Sequence, residues 1–370
     1  MSNMPLQQPQ LSIALGALQA NYRRLQARLA ASQSLAAAVV KADAYGLGLA
    51  PIAAALRQAG AQVFFVATLE EGRALRTTLP DKAIYILGGL PPGAEFYMQA
   101  YRLVPVLNRL DEIERWARHA SSQNIVLPAA IQIDTGMARL GLSADEVERL
   151  RETPEWLEAF APRLYLSHLA SAETQGMQNL IQLGLLQERL NGLAKGWVSL
   201  ANSSGIFLSD DYHYDLARPG AALYGVNPTP DAPNPMQAVV RLEAPILQLR
   251  QLAVGESVGY GATWTAQVPS RVATLGLGYA DGLLRYLSNR GQVYLLGQAC
   301  PVIGRVSMDL VAIDVTRLPE AELSPGMSVE IMGLQQSADA LAAQADTIGY
   351  EILTSLGRRY QRHYLPGMLD

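Results

Sequence analysis

Cysteine is almost missing from this sequence. Cys300 stands alone among 370 residues, so an internal disulfide framework is excluded and a reducing compartment is expected. Histidine is nearly as scarce, four residues at no metal-ligand spacing, which argues against a metal site. Charge of neither sign dominates: 29 Lys plus Arg stand against 33 Asp plus Glu, a net charge of -4. A chain without a basic field is not expected to take nucleic acid as its partner. No apolar run approaches the ~20 residues that span a bilayer. The apolar stretch from Leu11 is short, interrupted and not preceded by basic residues, so neither a membrane segment nor a secretory signal is expected. The expected compartment is the cytoplasm.

What the chain does have is core-forming material: 49% hydrophobic residues against 17% charged ones, over a length that suits two domains better than one. Its organising stretch is Ala38-Val39-Val40-Lys41-Ala42-Asp43-Ala44-Tyr45-Gly46. The run Leu35 to Val40 reads as a fully buried strand, and it ends on a lysine. An amine where a buried strand meets its loop is costly unless something there uses it. Partial desolvation lowers a lysine's pKa, which suits a Schiff-base former and proton carrier. Tyr45, Gly46 and Gly48 then suit a loop receiving an anion, with the glycines admitting close backbone approach. From this stretch alone, a structural lysine that snorkels to the surface or is salt-bridged at the strand end is the preferred reading.

The remainder settles into a rhythm. Leu15, Leu18, Tyr22, Leu25 and Leu29 are spaced for one face of an amphipathic helix. Strand-like runs follow at 36–41, 63–67, 83–87, 102–106, 128–134, 164–168, 198–201 and 221–224, separated by helical patterns. One of these helices opens with the capping box Ser143-x-x-Glu146. About eight strands alternating with helices predict a closed (β/α)8 TIM-like barrel of the α/β class. Four prolines between Asn227 and Pro235 stop regular structure, which divides a barrel at 1–230 from a second unit at 231–370. That second unit reads as mostly β, with strand-like runs at 239–252, 272–277, 293–296, 301–306, 311–315 and 328–332.

Barrel active sites sit at the C-terminal ends of the strands. That rim collects Lys41, Asp134 to Arg139, Ser167-His168, Asn202-Ser203-Ser204-Gly205 and Arg218-Pro219-Gly220. Each has an ordinary structural explanation, but their common placement points to one site. Loops at Asn202–Gly205 and Gly220 could cradle a phosphate, as the loops after strands seven and eight do in such barrels.

These residues resemble the alanine racemase family along nearly the whole chain. Besides the Lys41 stretch, the resemblance rests on Asp134-Thr135-Gly136-Met137 with Arg139-Leu140-Gly141, Ala201-Asn202-Ser203, Arg218-Pro219-Gly220 and Gly259-Tyr260-Gly261. It continues through Gly278-Tyr279-Ala280-Asp281-Gly282, Gly304 to Asp309 and Thr347-Ile348-Gly349-Tyr350-Glu351. The resemblance implies a pyridoxal 5′-phosphate enzyme, a barrel plus a β domain, working on a small amino acid as a head-to-tail homodimer with shared sites. Lys41 would hold the cofactor and act as one base, and Tyr260 from the partner subunit would be the other. A phenol ordinarily ionises near ~10, so a tyrosine base needs help, which the family assigns to His168 and Arg218. Arg218 would face the pyridine nitrogen and, unable to give up a proton readily, leave it unprotonated. Tyr45, Asn202, Ser203, Gly220, Ala221 and Tyr350 match positions that hold the cofactor, chiefly its phosphate. Arg139 and Met308 match positions near the ring oxygen and substrate carboxylate, and Tyr279 and Tyr350 would narrow the entrance. The product, D-alanine, would supply peptidoglycan.

Three departures stand out. Gln132 lies where many family members carry a carbamylated lysine that pairs with Arg139, so that arginine is expected to receive a neutral amide oxygen instead, the alternative being a small anion such as chloride in the gap. Leu47 replaces a common histidine, and Glu173 a common aspartate near the entrance. A decarboxylase of basic amino acids is disfavoured by Arg218 and Asn202-Ser203, and a single-barrel cofactor carrier by the β unit with Tyr260. A racemase of broader range, acting for example on serine, is the nearer alternative.

Overall fold

A computed structural model describes residues 8–160, 162–193 and 195–369. Seven short parallel strands follow one another around a curled sheet in chain order: Ala38–Val39, Val63–Val66, Ala83–Ile86, Val104–Leu107, Ala130–Gln132, Leu164–Leu166 and Trp197–Ser199. An eighth strand, Leu216–Ala217, pairs in parallel with Leu35–Ala36. Backbone bonds on both of its sides close the ring. Leu35 and Ala37 N–H donate to Asp215 and Ala217 carbonyls at 3.0 and 2.9 Å, and Asp215 and Arg218 N–H donate to Val198 and Ala201 carbonyls at 3.1 and 2.8 Å. The α/β barrel expected from the alternation of elements is therefore present.

Two expected strands differ. The segment at 221–224 is a 3₁₀ turn, Ala221–Tyr224, and the closing strand lies earlier, at Leu216–Ala217. Four apolar residues in a row carry no period that separates a buried strand from a buried turn. The first strand stops at Val39 instead of reaching Lys41. It is also interrupted at Ala37: its first half pairs with the last barrel strand and its second half with Val63–Val66. The amphipathic helix Leu15–Leu29 buries Leu18, Tyr22, Leu25 and Leu29 as their spacing requires. The capping box forms, with Glu146 N–H on the Ser143 hydroxyl at 3.3 Å and Ser143 N–H on the Glu146 carboxylate at 2.9 Å.

The second unit is an antiparallel sheet wrapped on itself, in which Val240–Leu252 pairs with both Ser328–Met332 and Ser270–Leu275. One of its strands comes from the other end of the chain. Gln10–Ala14 lies antiparallel to Val240–Leu252 and parallel to Gln361–Leu365. Its alternation is visible in the sequence, since Leu11 and Ile13 are fully buried while Gln10 and Ser12 are half-buried, a period of two. Between Asn227 and Pro235 no helix or strand forms.

Candidate active site

After Val39 the chain turns the wrong way. Ala42, Asp43, Ala44 and Tyr45 have φ of 54°, 53°, 54° and 57°, a left-handed conformation that is roughly 1–2 kcal/mol unfavourable for each L-residue. Local bonds hold it. Ala44 N–H donates to the Val40 carbonyl at 3.0 Å, Gly46 N–H to Ala42 at 2.8 Å and Gly48 N–H to Asp43 at 2.9 Å. The Asp43 carboxylate also accepts Leu49 N–H at 2.7 Å. Lys41 and Tyr45 stand at the two ends of this turn.

The glycines after Tyr45 serve a different purpose from the anion loop expected of them. Their N–H groups are committed within the turn, so they offer nothing to an anion. A Cβ on Gly46 would lie 2.5 Å from the Leu353 carbonyl oxygen, and one on Gly48 would lie 2.2 Å from the Tyr364 hydroxyl. The missing side chains let the second unit press against the turn. Tyr364 then donates to the Leu47 carbonyl at 2.8 Å and Arg362 to that of Gly46 at 3.0 Å.

Cations crowd the rim. Burial, and then the Arg139 and Arg218 guanidiniums, hold the Lys41 amine below its ordinary pKa, while the Glu71 carboxylate pulls it back up. Arg218 is 5% exposed. Its guanidinium donates to the Ser199 hydroxyl and the Ser167 carbonyl and lies 3.4 Å from His168 Nδ1. None of these partners is a carboxylate. Burial pulls Arg218 down from 12.5 to about 10, so it stays charged at neutral pH. His168 is pushed down to about 3 by burial and then by Arg218, Arg139 and Lys41. Arg139 itself is exposed and has no hydrogen-bond or ion-pair partner among the described residues. Gln132 does not give it the expected amide oxygen. The buried Gln132 side chain instead donates its NH₂ to the Leu140 carbonyl at 3.1 Å, bracing the loop next to Arg139.

A cradle of small polar groups lies beside the lysine. The Ser203 hydroxyl accepts the Gly220 and Ala222 amides at 3.0 and 3.2 Å, keeping its own proton free to donate. The Tyr45 hydroxyl occupies the space a Gly220 Cβ would need, 2.2 Å away. Tyr45 packs on Tyr224 and Tyr350, with ring centroids at 4.6 and 6.3 Å, and Tyr224 donates to the Val39 carbonyl at 3.0 Å. Burial pushes Tyr350 up to about 12 and Tyr45 well above its ordinary value, so both remain O–H donors. Asn202 turns its carbonyl oxygen to Gly205 N–H at 2.9 Å, shaping the loop, and Ala221 opens the 3₁₀ turn next to Gly220.

Three expected residues stand elsewhere. Tyr260 opens a 3₁₀ turn between Ser257–Val258 and Trp264–Thr265. Tyr279 and Ala280 donate to the Ser307 and Met308 carbonyls at 3.0 and 2.9 Å, which binds Tyr279 to the Met308 loop. All three sit on the β unit and are open, Tyr260 at 71% exposure. None of them shares a hydrogen bond with Lys41, His168 or Arg218 among the described residues. The structure also adds Glu71, Tyr224, Arg362 and Tyr364 to the neighbourhood. Only Glu71 had a sequence signal, the capping pattern Thr68-x-x-Glu71.

A desolvated lysine thus stands on the rim of a parallel barrel joined to a β unit, near two guanidiniums that no carboxylate pairs among the described residues. Residues 13–228 match the alanine racemase N-terminal domain and residues 239–364 the alanine racemase C-terminal domain. A catabolic alanine racemase of Agrobacterium fabrum is 47% identical over 97% of this chain and 92% of its own length. An alanine racemase of Acidiphilium cryptum is 49% identical over 96% and 98%. The crystal structure of alanine racemase from Bartonella henselae, with covalently bound pyridoxal phosphate, superposes with a TM-score of 0.94 at 42% identity, covering 97% of this chain and 99% of that one. The chain belongs to the alanine racemase family, whose members are isomerases.

Proposed function

We propose that this chain interconverts L- and D-alanine with pyridoxal 5′-phosphate. In this reading it works as a head-to-tail dimer in which the partner subunit's Tyr260 completes each site. The observation that carries the reading is Arg218, a buried guanidinium whose partners are all neutral. A buried charge without a counter-charge is expensive, and a ligand that presents an electron-rich atom to it removes the anomaly.

The residues present fit the cofactor. Tyr45, Ser203, Tyr350 and the Gly220–Ala222 segment would hold its phosphate by donation, with Asn202 shaping that loop. Lys41 would hold it covalently, Arg218 would donate to the ring nitrogen, and Arg139, free of other partners, would serve the ring oxygen. Once bound, the cofactor supplies the electron sink that acidifies the substrate Cα–H. Lys41 takes or returns the proton at Cα on one face, and its depressed pKa favours the neutral form a base needs. The partner subunit's Tyr260 serves the other face, because inversion by proton transfer needs a base on each. Arg139 and Met308 orient the substrate carboxylate, while Tyr279 and Tyr350 leave room for a methyl side chain.

The division of labour nearly follows the chain: residues 1–230 hold the cofactor with Tyr350 as the one contribution from beyond them, and residues 231–370 furnish Tyr260, Tyr279 and Met308 to the partner's site. The exposure of these three, 71%, 43% and 54%, suits a face that a second copy covers. No helix among the described residues is long and apolar enough to cross a membrane, and the cytoplasm is the compartment of this reading. The role we read for it is supply of D-alanine to peptidoglycan, and a D-alanine requirement after gene loss tests that role against a catabolic one.

The central test mixes two dead variants. Lys41→Ala should lose both the visible absorbance of bound cofactor and racemisation of L-alanine, measured by chiral chromatography. Tyr260→Phe should keep the absorbance but lose most of the rate. Re-dimerised together, the two should regenerate intact sites and recover activity. Mixed dimers that form and stay inactive would refute the shared site, and wild-type protein that yields no D-alanine would refute the reaction.

A further inference from the structure

Glu71 belongs to a capping box but does not behave as an ordinary one. At the start of helix Leu69–Thr78, Glu71 N–H donates to the Thr68 hydroxyl at 3.2 Å. One carboxylate oxygen, Oε2, accepts Thr68 N–H at 3.3 Å and Ala67 N–H more closely, at 2.7 Å. The other, Oε1, leaves the helix altogether and accepts Ala42 N–H at 2.7 Å, from a residue 29 positions earlier. Ala42 is the first left-handed residue of the turn and is peptide-bonded to Lys41. The bonds within the turn use Ala42's carbonyl and leave its N–H to Glu71. A single side chain therefore joins the end of the second barrel strand to the strained segment beside the lysine.

We infer that Glu71 is a positioning residue for racemisation: its carboxylate anchors the left-handed turn at Ala42, and so holds in place the Lys41 amine and the Tyr45 hydroxyl at the turn's two ends. The inference rests on the reading of Lys41 as the cofactor-bearing base. Left-handed backbone at four successive L-residues persists only when its surroundings over-determine it. The clamps from the second unit, Arg362 and Tyr364, grip the far end of the turn, at Gly46 and Leu47. Glu71 grips the near end, and a carboxylate makes a stronger acceptor there than a neutral group would. It also stands as the anion against Arg139 and Arg218 in the field around the lysine.

The test separates this role from helix capping. Thr68→Ala removes the cap but spares the bond to Ala42, whereas Glu71→Gln keeps the shape and removes the charge. Glu71→Asp keeps the charge on a side chain too short to reach Ala42 from the cap. In cofactor-free protein, Lys41 acylation by acetic anhydride is followed against pH by peptide mass spectrometry. Losing the carboxylate disfavours the ammonium form, so the Glu71→Gln midpoint should move to lower pH while that of Thr68→Ala stays with wild type. In the loaded enzyme, kcat should fall on the order of 10- to 100-fold for Glu71→Gln and Glu71→Asp, the scale of a misplaced reacting group. KM should change far less, and Thr68→Ala should lose melting temperature but little kcat. An unmoved Lys41 midpoint in Glu71→Gln, or kcat lost equally in Thr68→Ala, would reduce Glu71 to a helix cap and overturn the inference. The acylation arm needs neither cofactor nor substrate, so it tests the hold of Glu71 on the lysine even in an enzyme that proves not to racemise alanine.

Discussion

Arg218 Nη2 lies 3.4 Å from His168 Nδ1, and that distance fixes the histidine's role. Arginine has only hydrogens to offer, so Nδ1 faces it as an acceptor and the ring proton belongs on Nε2. With its pKa pushed to about 3, His168 is neutral throughout the physiological range. A neutral ring in this tautomer can donate through Nε2 and is a weak candidate for carrying protons.

A stability prediction follows from the sign of that shift. The folded pKa, about 3, lies below the unfolded value near ~6.5, so between the two the unfolded chain binds more protons. Stability from this group is present above pH ~6.5 and lost as pH falls toward 3, approaching about 1.4 kcal/mol per pH unit inside that window. Melting temperature should therefore drop on acidification from pH 6 to 4, and His168→Gln should flatten the slope. An unchanged slope in the variant would assign the acid sensitivity to other groups. The racemisation rate should show no inflection from His168 between pH 5 and 8.

Arg218→Glu exchanges a donor for a carboxylate at the position read as facing the pyridine nitrogen. A protonated ring nitrogen is a stronger electron sink, so racemisation should fall by about 100-fold or more, the scale of losing a preorganised electrostatic contact. Pyridoxamine phosphate should accumulate as a side product, detectable by chromatography of the released cofactor. If rate and product profile both match wild type, Arg218 does not face the ring.

Gly46→Ala tests the contact between the two units. Its φ of 81° and the Leu353 backbone oxygen 2.5 Å from the new Cβ leave no flexible side chain to yield. Destabilisation should exceed ~1 kcal/mol in urea unfolding, with kcat lowered as the lysine turn shifts. Gly60→Ala, where φ is also positive but nothing lies within 4 Å of the Cβ, should be milder. Equal effects would mean that backbone strain alone is responsible.

Gln132 cannot be carbamylated, so racemisation should be independent of added bicarbonate and intact-mass measurement should find no carbamate. Because its amide holds the Leu140 carbonyl at 3.1 Å, Gln132→Ala should loosen the Arg139 loop and raise KM for alanine several-fold, with a smaller effect on kcat. A KM indistinguishable from wild type would show that the loop is held by the Asp134 carboxylate, which accepts three loop amides at 3.0–3.2 Å.

Local patterns announced their elements where the elements were long enough to show a period. Helix Leu15–Leu29 and the Ser143 cap are examples, and so is the convergence of Lys41, His168 and Arg218 on one rim. Features that depend on distant partners were not legible. Leu216–Ala217 is two residues long, too short for any periodicity, and is a strand only because Leu35–Ala36 lies beside it. Gly46 and Gly48 read as an anion loop because the sequence cannot show that Leu353 and Tyr364 arrive there. Gln132 was expected at Arg139 because the resemblance places a modified lysine there, while its amide follows the Leu140 carbonyl. Glu71 fits the helix-start pattern Thr68-x-x-Glu71, and nothing in that pattern signals the oxygen that leaves the helix for Ala42.

The placement of Gln361–Leu365 bears on how the protein comes to be finished. This strand flanks Gln10–Ala14 and carries both Arg362 and Tyr364, which hold the turn after Lys41. A ribosome therefore releases the first sheet strand more than 300 residues before its parallel neighbour exists, and the barrel can assemble while the lysine turn still lacks its outer clamps. A chain broken off before Gln361 would keep every residue assigned to the chemistry and lack the grip on the far end of the turn, leaving Glu71 to hold the near end. The last strand to be made thus ties the lysine turn to the second unit.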